Sequence, residues 1–160
     1  MTDQPFTHLD AAGHARMVDV TAKQPTVREA TAAGTVLCSP AVLAALTSGT
    51  VPKGDVLAVA RVAGISAVKK VPDLIPLSHV IGIHGASVDL EITSRGVDIT
   101  VTVRTADRTG VEMEALTGVA VAALAVIDMV KGLDKATSIT DIRLLRKSGG
   151  KSGTWQRDEQ

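Results

Sequence analysis

Apolar and polar residues alternate along two neighbouring segments in the middle of the chain. Residues 86–93 and residues 97–104 each place apolar side chains at every second position. A period of two is typical of a β-strand with one buried face. The turn sequence Ser94-Arg95-Gly96 lies between the two segments. The pattern therefore predicts a β-hairpin.

The longest apolar stretch of the chain follows this hairpin. Every residue from Ala115 to Ile127 is apolar or small, and we predict a helix over about 111–131. A helix that is apolar on all sides is buried, and this run is shorter than the roughly 20 residues that span a bilayer. One sheet covers only one side of such a helix. We therefore expect a partner subunit, in a homo-oligomer, to cover the rest.

Shorter patterns complete the predicted order of elements. Residues 34–39 form a candidate buried strand, and Ser39-Pro40 is typical of a capped helix start. Gly54-Asp55 begins a second helix that ends near residue 70, and residues 139–146 form a last strand. The order β-α-β-β-α-β predicts a ferredoxin-like α+β fold, an antiparallel sheet with helices packed on one face.

We predict a single domain over residues 1–160. Residues 1–30 are polar with little periodicity and are expected to form a loosely ordered arm. Residues 147–160, rich in Lys, Gly and Ser at their start, are expected to form a flexible tail. Pro72 and Pro76 predict an irregular stretch from residue 71 to about residue 85.

Composition excludes several classes of function. The net charge is zero, and the chain has one Phe, one Trp and no Tyr, so we expect no nucleic-acid or membrane partner. The single cysteine, Cys38, excludes an intramolecular disulfide and a four-cysteine metal site. The polar N-terminus has no apolar signal core. These features predict a cytoplasmic protein.

Charged residues stand at both ends of the predicted buried helix. Asp128 and Lys131 are three residues apart and share one face, so they form either an exposed ion pair or an acid and a base. Glu112 could form a capping box with Thr109, whereas Glu114 is not needed for a cap. Because 14 residues of helix span roughly 21 Å, one small ligand cannot reach both ends. Either the two helix ends from different subunits form one site, or the two ends have different functions.

Three further segments are candidates for anion binding. Lys53 precedes a predicted helix start, where backbone N–H groups favour anions, although an isolated lysine there is more often solvated. His79 lies in a proline-restricted loop, and its spacing to His84, with no cysteine nearby, predicts no structural metal. Lys147-Ser148-Gly149-Gly150-Lys151-Ser152-Gly153 lacks the spacing and following helix of a P-loop. It remains either a flexible phosphate cradle or a disordered end.

The motifs resemble one family when they are taken together and in order. The chain is similar to the MoaC family over roughly residues 8–155. The segments that carry the resemblance are MVDVTAK at 17–23, KGD at 53–55, DLIPL at 73–77 with His79, TGVEMEALT at 109–117, DMVK at 128–131 and LLRKSGGKSG at 144–153.

This resemblance implies a fold, an assembly and a reaction. The fold is a ferredoxin-like subunit in a hexamer, a trimer of dimers, with its site at a dimer interface. The reaction is that of a lyase converting 3′,8-cyclo-7,8-dihydro-GTP to cyclic pyranopterin monophosphate with release of pyrophosphate, in molybdenum cofactor biosynthesis. The alternative is a paralogue that binds a nucleotide or phosphate without catalysis.

The resemblance also implies roles for individual residues. Asp128 and Lys131 match an acid/base pair that moves protons as the purine ring opens and the pyranopterin closes. The matches to substrate-binding positions are Lys53, His79 and Lys147 for the triphosphate, Glu112 and Glu114 for N–H groups of the pterin, and Lys151 and Arg28 as weaker phosphate candidates. No cofactor is required, although Mg²⁺ could arrive with the substrate phosphates. Ser78 and Val80 replace the Cys and Pro usual beside the histidine, which leaves that loop less constrained.

Overall fold

The computed structural model describes residues 7–158. Its elements in chain order are β1 (Thr26–Leu37), α1 (Pro40–Ser48), α2 (Val56–Ala67), α3 (Val71–Leu74), β2 (Gly85–Ile92), β3 (Gly96–Asp107), α4 (Glu112–Val130), β4 (Ser138–Ser148) and β5 (Trp155–Gln156).

The five strands form one antiparallel sheet in the order β2-β3-β1-β4-β5. Its long strands alternate with helices as β1, then α1 and α2, then β2 and β3, then α4 and β4. Helix α4 lies over β1, β3 and β4, and α2 packs beside α4 and over β2. The predicted ferredoxin-like α+β fold is confirmed, with the hairpin of β2 and β3 at one edge.

Local sequence explains where the first two helices begin. The Ser39 hydroxyl accepts a hydrogen bond from the Val42 N–H, and the carboxylate of Asp55 accepts one from the Ala58 N–H. Each bond satisfies a backbone donor that a helix start otherwise leaves free. Gly49 ends α1 with φ 67°, a left-handed conformation that costs glycine little. Both predicted helix starts are confirmed.

Helix α4 is the centre of the core. It has 19 residues and a mean hydropathy of 1.9, so by length and composition alone it could cross a membrane. In the described structure, half of that stretch is buried, against the apolar face of the sheet and against α2. The apolar side chains of β3 beneath it, from Val97 to Val103, are fully buried. The helix therefore serves as a core element of the fold.

Two glycines let α2 and α4 approach closely. A Cβ on Gly118 would lie 2.9 Å from Val68 Cγ1 and 3.0 Å from Val101 Cγ1. A Cβ on Gly64 would lie 3.2 Å from the carbonyl oxygen of Gly118. Any larger side chain at this crossing needs the helices or the sheet to move, because packed interiors have no spare volume.

The first strand is longer than the pattern predicts. It begins at Thr26, so the expected loose arm is wrong for residues 26–30; residues 1–6 lie outside the described part of the chain. These first residues of β1 pair with the last five of β3, from Val103 to Asp107. Glu29 also forms ion pairs with Arg104 and Arg146 on the neighbouring strands. Cross-strand pairing thus orders a segment whose own composition is polar.

The C-terminal segment also departs from the prediction. Strand β4 continues to Ser148, and Trp155 pairs with Lys147 across a turn that contains glycines of positive φ. Arg157 lies over the Trp155 ring and donates through Nε to the Leu144 carbonyl at 2.7 Å. The predicted flexible tail is therefore wrong for residues 147–148 and 155–157, and residues 159–160 lie outside the described range.

The helix crossing generates a stability prediction. Gly118→Val should lower the free energy of unfolding by about 1–3 kcal/mol, because the added methyl groups overpack the space beside Val68 and Val101. Urea midpoints at one fixed protein concentration measure the change. Gly132→Ala is the matched control, since a Cβ there meets nothing within 4 Å. An unchanged midpoint for Gly118→Val would contradict close packing at the crossing.

Candidate functional site

The predicted site residues other than Lys151 fall into two clusters at opposite ends of α4. Lys53, Asp128 and Lys131 lie together at its C-terminal end. At its N-terminal end, Glu112 contacts Lys147, and the remaining members of that cluster are Glu114, His79 and Arg28. The two clusters have different geometry and different electrostatics.

The C-terminal cluster is centred on the Asp128 carboxylate. Lys131 Nζ donates to Asp128 Oδ1 at 2.7 Å. Lys53 Nζ donates to Asp128 Oδ2 at 3.2 Å and to the Asp128 carbonyl oxygen at 2.8 Å. The second bond satisfies a carbonyl that the helix end leaves without an intrahelical partner. Lys53, 75 residues away in the chain, thus fixes both the helix end and the carboxylate.

These lysines keep Asp128 ionised. The hydrogen bond from Lys131, followed by that from Lys53, holds the pKa of Asp128 below its ordinary value. The side chains of Lys53, Asp128 and Lys131 are each about half exposed on this chain. A stable carboxylate next to two ammonium groups is a proton acceptor beside proton donors, which suits acid–base chemistry once a substrate excludes water.

At the other end of α4, Glu112 forms an ion pair with Lys147. The residue before the helix is Val111, and it makes no side-chain cap, so of the two alternatives for Glu112 the capping box with Thr109 does not form. The Glu112 carboxylate instead folds over Gly110 and forms an ion pair with Lys147 at 3.3 Å. Lys147 Nζ also donates to Ser152 Oγ at 2.9 Å. The ion pair competes successfully with the cap because Lys147 lies directly beside the helix start.

Glu114 is the most unusual ionisable residue of the described chain. Its side chain is 2% exposed, and Oε1 has no hydrogen-bond partner. Burial raises the pKa of Glu114 to about 7; the hydrogen bond from its own backbone N–H acts against this rise, and the charge of Glu112 adds to it. A buried polar atom without a partner costs free energy. Glu114 therefore fits a ligand that brings an N–H donor.

A cavity of about 610 Å³ opens above these carboxylates. Three chain segments form its walls: residues 7–23, the loop after α3, and the start of α4. The lining residues are Thr7, His8, Val18, Val20, Lys23, Ile75, Leu77, Ser78, His79, Thr109, Gly110, Glu112, Met113 and Glu114. Apolar sides with carboxylates at one end suit a flat heterocycle that carries N–H groups.

His79 joins the loop to the N-terminal segment. Its Nε2 lies 2.5 Å from the Val18 carbonyl oxygen. A carbonyl only accepts, so Nε2 carries the proton in this arrangement. The neighbouring Val80 side chain is 86% exposed. The histidine is thus held by the chain's own backbone, while the residue after it lies free of the core.

Arg28 and Lys151, two of the residues predicted to bind phosphate, do not line the cavity at the start of α4. Arg28 donates through Nε to the Asp107 carbonyl at 3.1 Å and through Nη2 to the Arg108 carbonyl at 3.2 Å. Its guanidinium also lies against Gly150, where any Cβ would overlap it. Lys151 is exposed in the turn between β4 and β5 and does not line the cavity at the start of α4. Arg28 therefore supports the local backbone, and its role in phosphate binding stays a prediction.

Sequence reasoning assigned no role to the N-terminal wall of the cavity. His8, Val18, Val20 and Lys23 all line it, although this segment was expected to be loose. The motif MVDVTAK was the available signal, because its residues contribute to the family resemblance. Within residues 7–158, no group of three or more His, Cys, Asp or Glu side chains is arranged to hold a metal ion.

Comparison with known proteins gives a consistent result. The model of the MoaC family matches residues 17–150. A cyclic pyranopterin monophosphate synthase of Geobacter metallireducens is 60% identical over 156 residues, covering 96% of this chain and 98% of its own. Synthases of the same name are 59% identical in a Nocardioides species, covering 98% and 99%, and 58% identical in Streptomyces coelicolor, covering 95% and 89%.

Glu114 should make stability depend on pH. Its pKa rises from 4.5 to about 7 on folding, so between these values the folded state holds more protons than the unfolded state. Stability therefore falls as pH rises through this window, by a total on the order of 3 kcal/mol, and levels off above it. Glu114→Gln should remove this contribution, as measured by urea unfolding at several pH values.

Glu91→Gln is the matched control, because Glu91 is an exposed carboxylate on β2. This variant should keep the wild-type dependence on pH. If the Glu114→Gln and wild-type profiles run parallel between pH 4.5 and 7, the carboxyl of Glu114 does not titrate with a raised pKa.

Proposed function

Since the chain belongs to the MoaC family, we propose that it is a cyclic pyranopterin monophosphate synthase. It acts as a lyase that converts 3′,8-cyclo-7,8-dihydro-GTP to cyclic pyranopterin monophosphate and releases pyrophosphate, in molybdenum cofactor biosynthesis. The observation that carries this function is the identity of 58–60% to synthases of that name over at least 95% of the chain. The geometry of both clusters is compatible with it.

Asp128 and Lys131 are the proposed acid/base pair. The carboxylate is ionised and accepts protons, and the ammonium group 2.7 Å away donates them. Positioned groups of this kind typically accelerate proton transfer about 10²–10⁴-fold. Lys53 supports the pair from the other side of the carboxylate. Protons must move in both directions when the purine ring opens and the pyranopterin closes, and the cluster holds both partners.

The cavity at the opposite helix end is the proposed site of the heterocycle. Glu114 Oε1 is buried without a partner, and the substrate ring carries amino and ring N–H groups that could donate to it. Glu112 lines the same cavity but is paired with Lys147. Of the two carboxylates, Glu114 is therefore the one whose oxygen can accept a hydrogen bond from the substrate without losing an existing partner.

The distance between the clusters supports a site shared by two subunits. Glu114 and Asp128 are separated by 14 residues of one helix, or roughly 21 Å, which exceeds the reach of one substrate. Val62 on α2 and Leu124 on α4 are 68% and 57% exposed on the isolated chain. A homo-oligomer, a hexamer built as a trimer of dimers, would cover such residues and bring opposite helix ends together.

The cytoplasmic location of the protein remains a prediction.

A binding protein without activity is the competing function. Val80 and Ser78 beside His79 are the features that favour it, because they leave the loop less constrained than a proline would. Such a protein needs the lysines but not a positioned acid/base pair. The two functions therefore differ in what Asp128 and Lys131 contribute.

Incubation with enzymatically prepared 3′,8-cyclo-7,8-dihydro-GTP tests the proposed reaction. Pyrophosphate and the pterin product should appear in equal amounts. Lys131→Ala should lower turnover at least about a hundredfold, because it removes the proton donor, and should leave the circular dichroism spectrum unchanged.

Lys135→Ala is the control, since it removes an exposed lysine four residues further along the chain. It should retain activity. Tight binding of the substrate by the wild type with neither product would favour the competing function, and near-normal turnover by Lys131→Ala would remove that residue from the acid/base pair.

Mixing two variants, each altered at one end of α4 and each expected to lose activity, tests whether the site is shared. Lys131→Ala and Glu114→Gln, co-refolded in equal amounts, should recover about one quarter of wild-type activity, because half of the random dimers are mixed and each has one intact site of two. Each variant refolded alone is the control. Light scattering should first give a mass well above the 16.5 kDa of one chain. A monomer, or no recovery in a mixture shown to contain both variants in one assembly, would contradict the shared site.

A further inference from the structure

The segment that carries His79 forms one wall of the cavity and has little regular structure of its own. We call residues 75–84, between α3 and β2, the His79 loop. The loop joins the sheet at His84, whose N–H donates to the Arg104 carbonyl at 3.0 Å. Before that residue the chain turns away from β3, so its backbone N–H and C=O groups need other partners. Val80 within the loop is 86% exposed, so its side chain does not anchor the loop to the core.

Two side chains at the end of β3 bind the backbone of Gly82 in this loop. Asp107 Oδ2 accepts a hydrogen bond from the Gly82 N–H at 3.2 Å. The Thr105 hydroxyl donates to the Gly82 carbonyl at 2.5 Å. Residues two apart on a strand lie on the same face, so Thr105 and Asp107 reach the loop together. Both polar backbone groups of one loop residue are thus bonded to the sheet, and we call this pair of bonds the Gly82 clamp.

The two side chains of the clamp are themselves held in place. Thr105 is 2% exposed, and Asp107 Oδ1 accepts from the Arg108 N–H at 2.7 Å. The N–H of Arg108, followed by that of Gly82, holds the pKa of Asp107 below its ordinary value. The carboxyl group is therefore ionised at neutral pH, and each of its oxygens accepts a hydrogen bond. A loop residue bonded to such fixed groups has one defined position.

The clamp limits the freedom of His79. His79 Nε2 is bonded to the Val18 carbonyl, and Gly82 follows three residues later. Because three residues span at most about 11 Å, a fixed Gly82 restricts where the imidazole can lie in the cavity. Val80 stands where the family resemblance leads us to expect a proline, so no ring fixes φ after the histidine. In this chain the sheet supplies the restraint through Gly82.

We propose that Asp107 is a positioning residue, which sets the place of His79 in the cavity through the Gly82 clamp. Asp107 is not among the residues that line the cavity, so it acts on the site only through the loop. The inference rests on the proposed function for the reaction that His79 serves, and on the hydrogen bonds alone for the clamp. Loss of Asp107 then reduces activity only as far as His79 contributes to it.

Hydrogen–deuterium exchange of the full-length protein tests the clamp without any substrate. Asp107→Ala should speed exchange in the peptide that covers residues 75–84 about three- to tenfold, the change expected for loss of one hydrogen bond. Thr105→Val, which keeps the shape of the side chain but removes the hydroxyl, should have a similar effect. Thr105→Ser keeps the hydroxyl and should exchange like the wild type.

Asp98→Ala is the matched control for the exchange measurement. Asp98 is also a carboxylate of β3 and also accepts a hydrogen bond, from the Thr35 hydroxyl at 2.7 Å, but it has no contact with the His79 loop. Exchange of residues 75–84 should be unchanged in this variant. Wild-type exchange of the loop in both Asp107→Ala and Thr105→Val would overturn the clamp.

A double-mutant cycle tests whether Asp107 acts through His79. With 3′,8-cyclo-7,8-dihydro-GTP, Asp107→Ala should lower kcat/KM at least about tenfold, because a small displacement of a positioned group is costly. His79→Ala should lower it at least as much. The double variant should lie within about threefold of His79→Ala alone, since Asp107 has no further effect once the imidazole is gone. Losses that multiply in the double variant would indicate general destabilisation and would overturn the positioning role.

The two measurements separate this inference from the proposed function. If the wild type converts the substrate and Asp107→Ala has normal kcat/KM, the function stands and the positioning role is wrong. If the wild type is inactive but loop exchange still depends on Asp107 and Thr105, the clamp stands and the proposed function is wrong.

Discussion

A helix that is apolar on all sides can carry charged groups only at its ends, and the whole arrangement of this protein depends on that constraint. Helix α4 is covered by the sheet and by α2, and its interior offers no position for a polar side chain that reacts. The carboxylates are therefore confined to Glu112 and Glu114 at one end and Asp128 at the other. Separation of the two chemistries by roughly 21 Å is a consequence of core packing.

Periodicity was a reliable guide to the fold wherever local sequence decides the structure. The alternation in β2 and β3, the Ser39 and Asp55 caps and the apolar run of α4 all predicted their elements. Pairing between distant segments decided the rest. The first residues of β1 and the two residues of β5 are ordered by neighbouring strands, and their own composition does not encode that contact.

In the candidate site too, the sequence identifies residues, whereas contacts between distant segments are known only from the structure. Family resemblance identified the residues, but only the structure places Lys53 on Asp128 across 75 residues and Lys147 on Glu112. Those contacts decide which charges are free.

The buried carboxyl of Glu114 has a consequence for the energetics of ligand binding. Its pKa of about 7 means that it is only partly ionised at neutral pH. A ligand that donates an N–H to Oε1 stabilises the charged form and lowers that pKa. Binding of the ligand therefore releases a fraction of a proton from Glu114 to the solvent. By reciprocal linkage, the affinity of the cavity for such a ligand increases as the solution is made more alkaline through this range.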